Sequence, residues 1–184
     1  MTYLRCFLPA FFLSLLIVVT AGCNKKNDAS TVKSQPAREP ASLLGDTYSM
    51  TTGHSLEVYK SPTCGCCTGW VDHMNESGFK LNAHDMDNLE PVKQAQGISR
   101  EMRSCHTAVS KEGFVFEGHV PAKFIKRFLA EKPAGARGLA VPAMPVGTPG
   151  MEMGNKFMPY QIRLLKTDGS SEVYAKVSSF EQQY

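Results

Sequence analysis

Leu56-Glu57-Val58-Tyr59 alternates apolar and polar residues, the period of a half-buried strand, and Ser61-Pro62-Thr63 stops it. From Cys67 the period changes: Cys67, Trp70, Val71 and Met74 fall at i, i+3, i+4 and i+7, one face of a helix, with Gly78 at its C′ position. Residues 79–83 give a second strand. A short helix capped by Asn88 follows, with Pro91 in its first turn and Gly97 at its end. Residues 107–109 and 114–116 read as a hairpin across Ser110-Lys111-Glu112-Gly113. Pro121 opens a helix with Phe124, Ile125, Phe128 and Leu129 inward and Lys123, Lys126 and Arg127 outward, ending near Pro133-Ala134-Gly135. Tyr160, Ile162 and Leu164 alternate, Lys166-Thr167-Asp168-Gly169-Ser170 turns, and Val173, Ala175 and Val177 return as a second hairpin.

The first half-hundred residues read differently. An almost unbroken apolar run, Phe7 to Ala21, follows one cation, Arg5, and ends in Thr20-Ala21-Gly22-Cys23. At about 15 residues it is short for a membrane span, which takes roughly 20, and it has the layout of a secretory signal. The small-small-Cys ending resembles a bacterial lipobox. Residues 1–22 are therefore expected to be a lipoprotein signal peptide, with lipid on Cys23. Asn24 after that cysteine, rather than Asp, favours the outer membrane by analogy. Residues 23–52 are polar, lack periodicity and carry Pro36 and Pro40, as a flexible tether would. Residues 53–184 are the expected folded domain, on the periplasmic side of the membrane.

Composition then narrows the chemistry. Of 184 residues 42% are hydrophobic and 20% charged, sufficient for a core. The net charge is only +3, from 20 cations against 17 acids, which argues against a nucleic-acid partner. Six cysteines and nine methionines stand out. Cys6 leaves with the signal and Cys23 carries lipid; Cys64, Cys66, Cys67 and Cys105 remain. Three of these lie within four residues, which a framework of structural disulfides explains poorly.

Cys64-Gly65-Cys66-Cys67 contains a Cys-x-x-Cys with an additional thiol, between a strand and a helix. At a helix N-terminus, free backbone N–H groups favour thiolates, the form that disulfide exchange and metal binding both need. The order strand, helix, strand, helix, strand, strand, helix, with this loop after the first strand, describes an α/β domain of thioredoxin-like type: a mixed sheet flanked by helices. The C-terminal β-hairpin is an extension that lengthens or covers an edge. In such a fold the loop entering the third strand faces the cysteine motif and ordinarily carries a cis-proline. Here Ser104-Cys105-His106-Thr107 stands in its place, which favours metal capture and puts Cys105 beside the other sulfurs. A Pro- and Gly-rich loop, Val141 to Met153, carries Met144, Met151 and Met153, with Met158 close by; it is neither helix nor central strand, so these thioethers follow no core stripe. Thiolate, thioether and imidazole together suit Cu(I); zinc rarely takes Met, and hard ions need oxygen.

Four stretches carry a resemblance. They are Lys60 to Trp70, Ser104 to Ala108, Glu117 to Ala122, and Gly138 to Pro142 continuing through Met153. In this order they resemble the CopG-like periplasmic copper-resistance family. The resemblance implies a thioredoxin-like fold and a multinuclear copper site bridged by Cys64, Cys66, Cys67 and Cys105, with His106 and a methionine (Met144, Met151 or Met153) as outer ligands. His119 is a further imidazole, with helix-entry hydrogen bonding as the plainer reading. His54, His73 and His84 have no converging partners.

Three functions follow from these residues. The first is a copper-resistance protein that holds several Cu(I) ions, sequestering them or handing them to periplasmic carriers or efflux proteins, with Cu(I)/Cu(II) cycling as a variant that would make it a copper oxidoreductase. The second is a thiol-disulfide oxidoreductase using Cys64 and Cys67, which leaves Cys66, Cys105 and the methionines without a role. The third is a passive lipoprotein.

Overall fold

The computed structural model describes residues 53–184; the expected leader, Cys23 and the tether lie outside the described residues. No described helix is long and apolar enough to cross a membrane.

Seven strands form one mixed sheet: β1 Ser55–Lys60, β2 Lys80–Asp85, β3 His106–Ser110, β4 Val115–Glu117, β5 Ala136–Ala140, β6 Tyr160–Lys166 and β7 Ser171–Val177, in the spatial order β2-β1-β3-β4-β5-β6-β7. Three α-helices among the described residues accompany them: α1 Gly65–Glu76, α2 Glu90–Ala95 and α3 Ala122–Glu131. β1 and β2 are parallel around α1, and β4 and β5 are parallel around α3. The other neighbours are antiparallel.

Alternation along the strands sorts the helices to two faces. Leu56, Val58, His106, Ala108 and Phe116 share one face, against α1 and α3. There Trp70 of α1 packs on His106 with ring centroids 4.4 Å apart, and Phe128 of α3 meets Phe116 edge-on at 5.6 Å. The indole Nε1 donates to the Val120 carbonyl at 2.9 Å, and the Ala122 N–H donates to His73 Nε2 at 3.1 Å, so α1 also terminates the chain entering α3. Thr107 and Glu117 point to the opposite face and meet Lys93 of α2.

The helices fall where the periodicity puts them, with shifted ends. α1 starts at Gly65, with Cys64 as its N-cap, so Cys66 and Cys67 lie in its first turn. Its end is closed by Gly78 at φ +87°, with the Phe79 N–H donating to the Met74 carbonyl. At α2 the cap position is Leu89, while the Asn88 side chain still accepts the Glu90 N–H at 2.9 Å.

β5 has no counterpart among the expected elements. Ala136-Arg137-Gly138-Leu139-Ala140 contains no β-branched residue, and its strand character comes from neighbours on both sides. Leu139 lies between Phe116 of β4 and Leu164 of β6. The C-terminal hairpin does extend the sheet, through this additional strand. Gly138 is required by close approach: a Cβ there would fall 1.8 Å from the Val115 carbonyl oxygen. Gly138→Ala is expected to cost more than about 2 kcal/mol. Hydrogen exchange should show protection lost from β5, β6 and β7 before β1 and β3.

Candidate metal centre

Two segments far apart in sequence build the centre. The turn after β1 delivers Cys64, Cys66 and Cys67 to the N-terminus of α1, and the bend before β3 delivers Cys105. β1 and β3 are antiparallel with Lys60 opposite His106, so the residues just beyond Lys60 and just before His106 meet at one end of the sheet. The sulfurs of Cys64, Cys66, Cys67 and Cys105 all lie within 4.8 Å of one another. With metal–thiolate bonds of about 2.3 Å, two sulfurs on one ion lie at most about 4.6 Å apart, so this spread is close to bonding scale.

Cys64 and Cys67 are joined as a disulfide, and Cys66 and Cys105 are free thiols. Cys66 Sγ is 3.5 Å from Cys64 Sγ, and Cys67 Sγ is 3.8 Å from the Cys105 carbonyl oxygen. Cys67, in the first turn of α1, is buried and Cys64 is half-exposed, so the residue open to an attacking thiolate is Cys64.

A second group shares Cys105. Its sulfur, His106 and His119 bring their ligand atoms within 4.8 Å. His119 Nδ1 donates to the Pro149 carbonyl at 2.7 Å, so its Nε2, 3.0 Å from Cys105 Sγ, carries a lone pair and accepts the thiol proton. His106 Nδ1 lies 3.3 Å from the same sulfur, while its Nε2 is buried without a hydrogen-bond partner. Burial holds both imidazoles below their ordinary pKa; for His106 the neighbouring His119 and Lys93 add to it, and for His119 the Pro149 carbonyl opposes it. Burial, then the Cys66 sulfur, pushes the Cys105 thiol up to about 12. At neutral pH the metal-free centre therefore holds a protonated Cys105 and two neutral imidazoles.

The donors fit a soft ion. Both groups consist of sulfur and imidazole, and no carboxylate joins either among the described residues. Thiolate ligation by all four cysteines requires the Cys64–Cys67 disulfide to be reduced.

The methionine loop is clasped to this centre by its backbone. Besides the Pro149 carbonyl on His119, Gly150 sits so tightly on α1 that a Cβ would lie 2.4 Å from the Trp70 nitrogen and 2.5 Å from the Cys66 oxygen, at φ +84°. Met144, Met153 and Met158 project outward with 46%, 56% and 54% of their surface exposed, and Met151 is half-buried. The expected methionines thus lie on a loop tied to the centre, with Met144 and Met153 exposed. His119, expected as a hydrogen-bonding residue at a helix entry, does make such a bond, to Pro149, and also faces Cys105. His73 and His84 have structural partners, the α3 N-terminus and Glu57.

Residues 102–151 match a family described as "Protein of unknown function, DUF411". No curated protein matches the chain. Two solved structures, "Copper resistance protein copG" in its form 1 and form 2, are each 38% identical to it with TM-scores of 0.65; the aligned part covers 69% and 68% of this chain and 99% of theirs.

Gly150→Ala is expected to lift the loop and free His119 from Pro149, at a cost of about 1–3 kcal/mol. Nitrogen NMR of the imidazoles should then change from one Nδ1–H tautomer of His119 to a mixture, whereas the unaltered protein shows the single form.

Proposed function

As the chain belongs to the CopG copper-resistance family, we propose that it holds several Cu(I) ions in a site bridged by Cys64, Cys66, Cys67 and Cys105. The observation that supports this reading is the shared position of Cys105, a corner of both the four-sulfur group and the sulfur–imidazole group. A thiolate can bridge ions, so four in one centre suit more than one copper. His119, with its lone pair held on the centre by the Pro149 carbonyl, is the better placed imidazole, and His106 offers Nδ1. Such outer partners fix the tautomer of a ligating histidine and tune the ion it holds. Met144, Met151 and Met153 supply soft donors at the rim, where Cu(I) arrives and leaves. Storage, transfer to periplasmic copper carriers or efflux proteins, and Cu(I)/Cu(II) cycling use the same ligands. The strand pattern β1-α1-β2 followed by the β3–β4 hairpin and α3 agrees with a thioredoxin-like scaffold, extended here by β5, β6 and β7. A lipid on Cys23 and a tether would hold this domain at the periplasmic face of the outer membrane.

A second reading has its own observation. The Cys64–Cys67 disulfide, with its outer sulfur half-exposed and the inner one buried, is arranged for thiol–disulfide exchange. It leaves the proximity of Cys66, Cys105 and two imidazoles unused.

The two readings separate on metal content. Reduced protein loaded anaerobically with Cu(I) and desalted is expected to keep more than one copper per chain, measured by elemental analysis with thiol titration. Cys105→Ser should lose most of that copper while retaining its circular dichroism. Protein that retains no copper, yet reduces insulin disulfides in a metal-free state, would overturn the copper reading in favour of exchange.

A further inference from the structure

A buried ion pair lies beneath the centre on the α2 face of the sheet. Lys93 Nζ is 2.5 Å from Glu117 Oε1; Glu117 is wholly inaccessible and Lys93 only 6% exposed. A buried ion pair is a poor source of stability, since apolar residues of like size commonly do as well or better. The remaining contacts of Glu117 give it another role. Its Oε1 also accepts the Ser104 backbone N–H at 2.6 Å, and its Oε2 accepts the Thr107 hydroxyl at 2.6 Å; that hydroxyl in turn accepts from Lys93 Nζ at 3.1 Å.

One carboxylate thus grips the residue before Cys105 and the residue after His106. The dipeptide between them carries both β3-side donors of the centre. Thr107 faces α2, and strand alternation turns His106 the other way, toward Trp70. A hold on the α2 face therefore fixes what is presented on the α1 face. Gly118, at φ +70°, permits the closeness: a Cβ there would stand 2.6 Å from Ser104. The Ser104 hydroxyl, bonded to the Ala143 carbonyl, ties the same bend to the methionine loop.

We propose that Glu117, held in place by Lys93, is a positioning residue that sets Cys105 within reach of the α1 sulfurs by accepting from Ser104 and Thr107. Its consequence for copper rests on the reading above; its consequence for the thiols does not. Cys66 and Cys105 are both free in the Cys64–Cys67 disulfide form, so a short bis-alkylating reagent, dibromobimane, reports their proximity as fluorescence without any metal.

Two doubly substituted proteins decide it. Lys93→Met with Glu117→Leu removes the charges and the acceptor together. Lys93→Met with Glu117→Gln removes the charges but leaves a carbonyl for Ser104 and an amide for Thr107. Bimane bridging of Cys66 to Cys105 is expected to slow about tenfold in the leucine protein, as loss of such a hydrogen bond allows. In the glutamine protein it should return to within about twofold of the unaltered rate. Copper per chain should follow the same order. Unaltered bridging in a folded leucine protein, or equal loss in both proteins with matching denaturation midpoints, would overturn the proposal. So would failure of the unaltered protein to bridge. Bridging in this order without copper retention would uphold the positioning role and sink the copper reading alone. If the leucine protein does not fold, Thr107→Val removes one side of the grip and keeps the ion pair; bridging slowed several-fold supports the role, and an unchanged rate rejects it.

Discussion

The antiparallel register of β1 against β3 governs the chemistry of this molecule. Lys60 and His106 are partners across that pair, so the turn leaving β1 and the bend entering β3 share one end of the sheet. Cys105 is 38 residues beyond Cys67, and no local preference brings them together; the backbone ladder does. A slip of one residue would turn His106 and Ala108 away from α1 and take Cys105 with them. The Leu56, Val58, Ala108 and Phe116 core against α1 and α3 resists that slip, so burial of apolar side chains is what holds four sulfurs within 4.8 Å.

Around this register the centre is secured from three directions. From α1 comes Trp70, whose ring lies on His106. From the loop comes the Pro149 carbonyl, which decides which nitrogen of His119 faces the sulfur. From the α2 face comes the Glu117 carboxylate, on both sides of Cys105–His106. The neutral state of both imidazoles follows from the same burial that raises the Cys105 thiol. A site organised in this way disfavours charge, and a metal ion held there would have to displace protons from its thiols but not from its neutral imidazoles.

Much of this was legible in the residues. The period change at Cys67, the glycine after α1 and the apolar face of α3 specify their elements through local physics, and the place of Cys105 just before the third strand put it beside the other three sulfurs, where it lies. β5 was not legible, because Ala136-Arg137-Gly138-Leu139-Ala140 owes its conformation to strands on both sides and Gly138 to the Val115 carbonyl against it. The placement of His119 was only half legible: its place at the entry to a helix suggested hydrogen bonding, but the acceptor for its Nδ1 is 30 residues away in a loop without periodicity. The Lys93–Glu117 pair was not legible, since nothing local in a sequence announces a buried pair.

The disulfide and a bridged copper site make opposing demands on the same atoms. Joined to each other, Cys64 and Cys67 have no thiolate to give, and the centre retains only Cys66, Cys105 and the imidazoles as ligands. Opened by two electrons and released from their protons, they restore four sulfur donors with little movement, since all four are already near one another. An exchange enzyme needs only the outer pair. Cys66 in the first turn of α1 and Cys105 held by its neighbours on both sides are costly features for such an enzyme, because an adjacent free thiol can attack and scramble the working disulfide. In a copper site the same two thiols would be ligands, each thiolate sulfur having lone pairs enough to serve more than one ion.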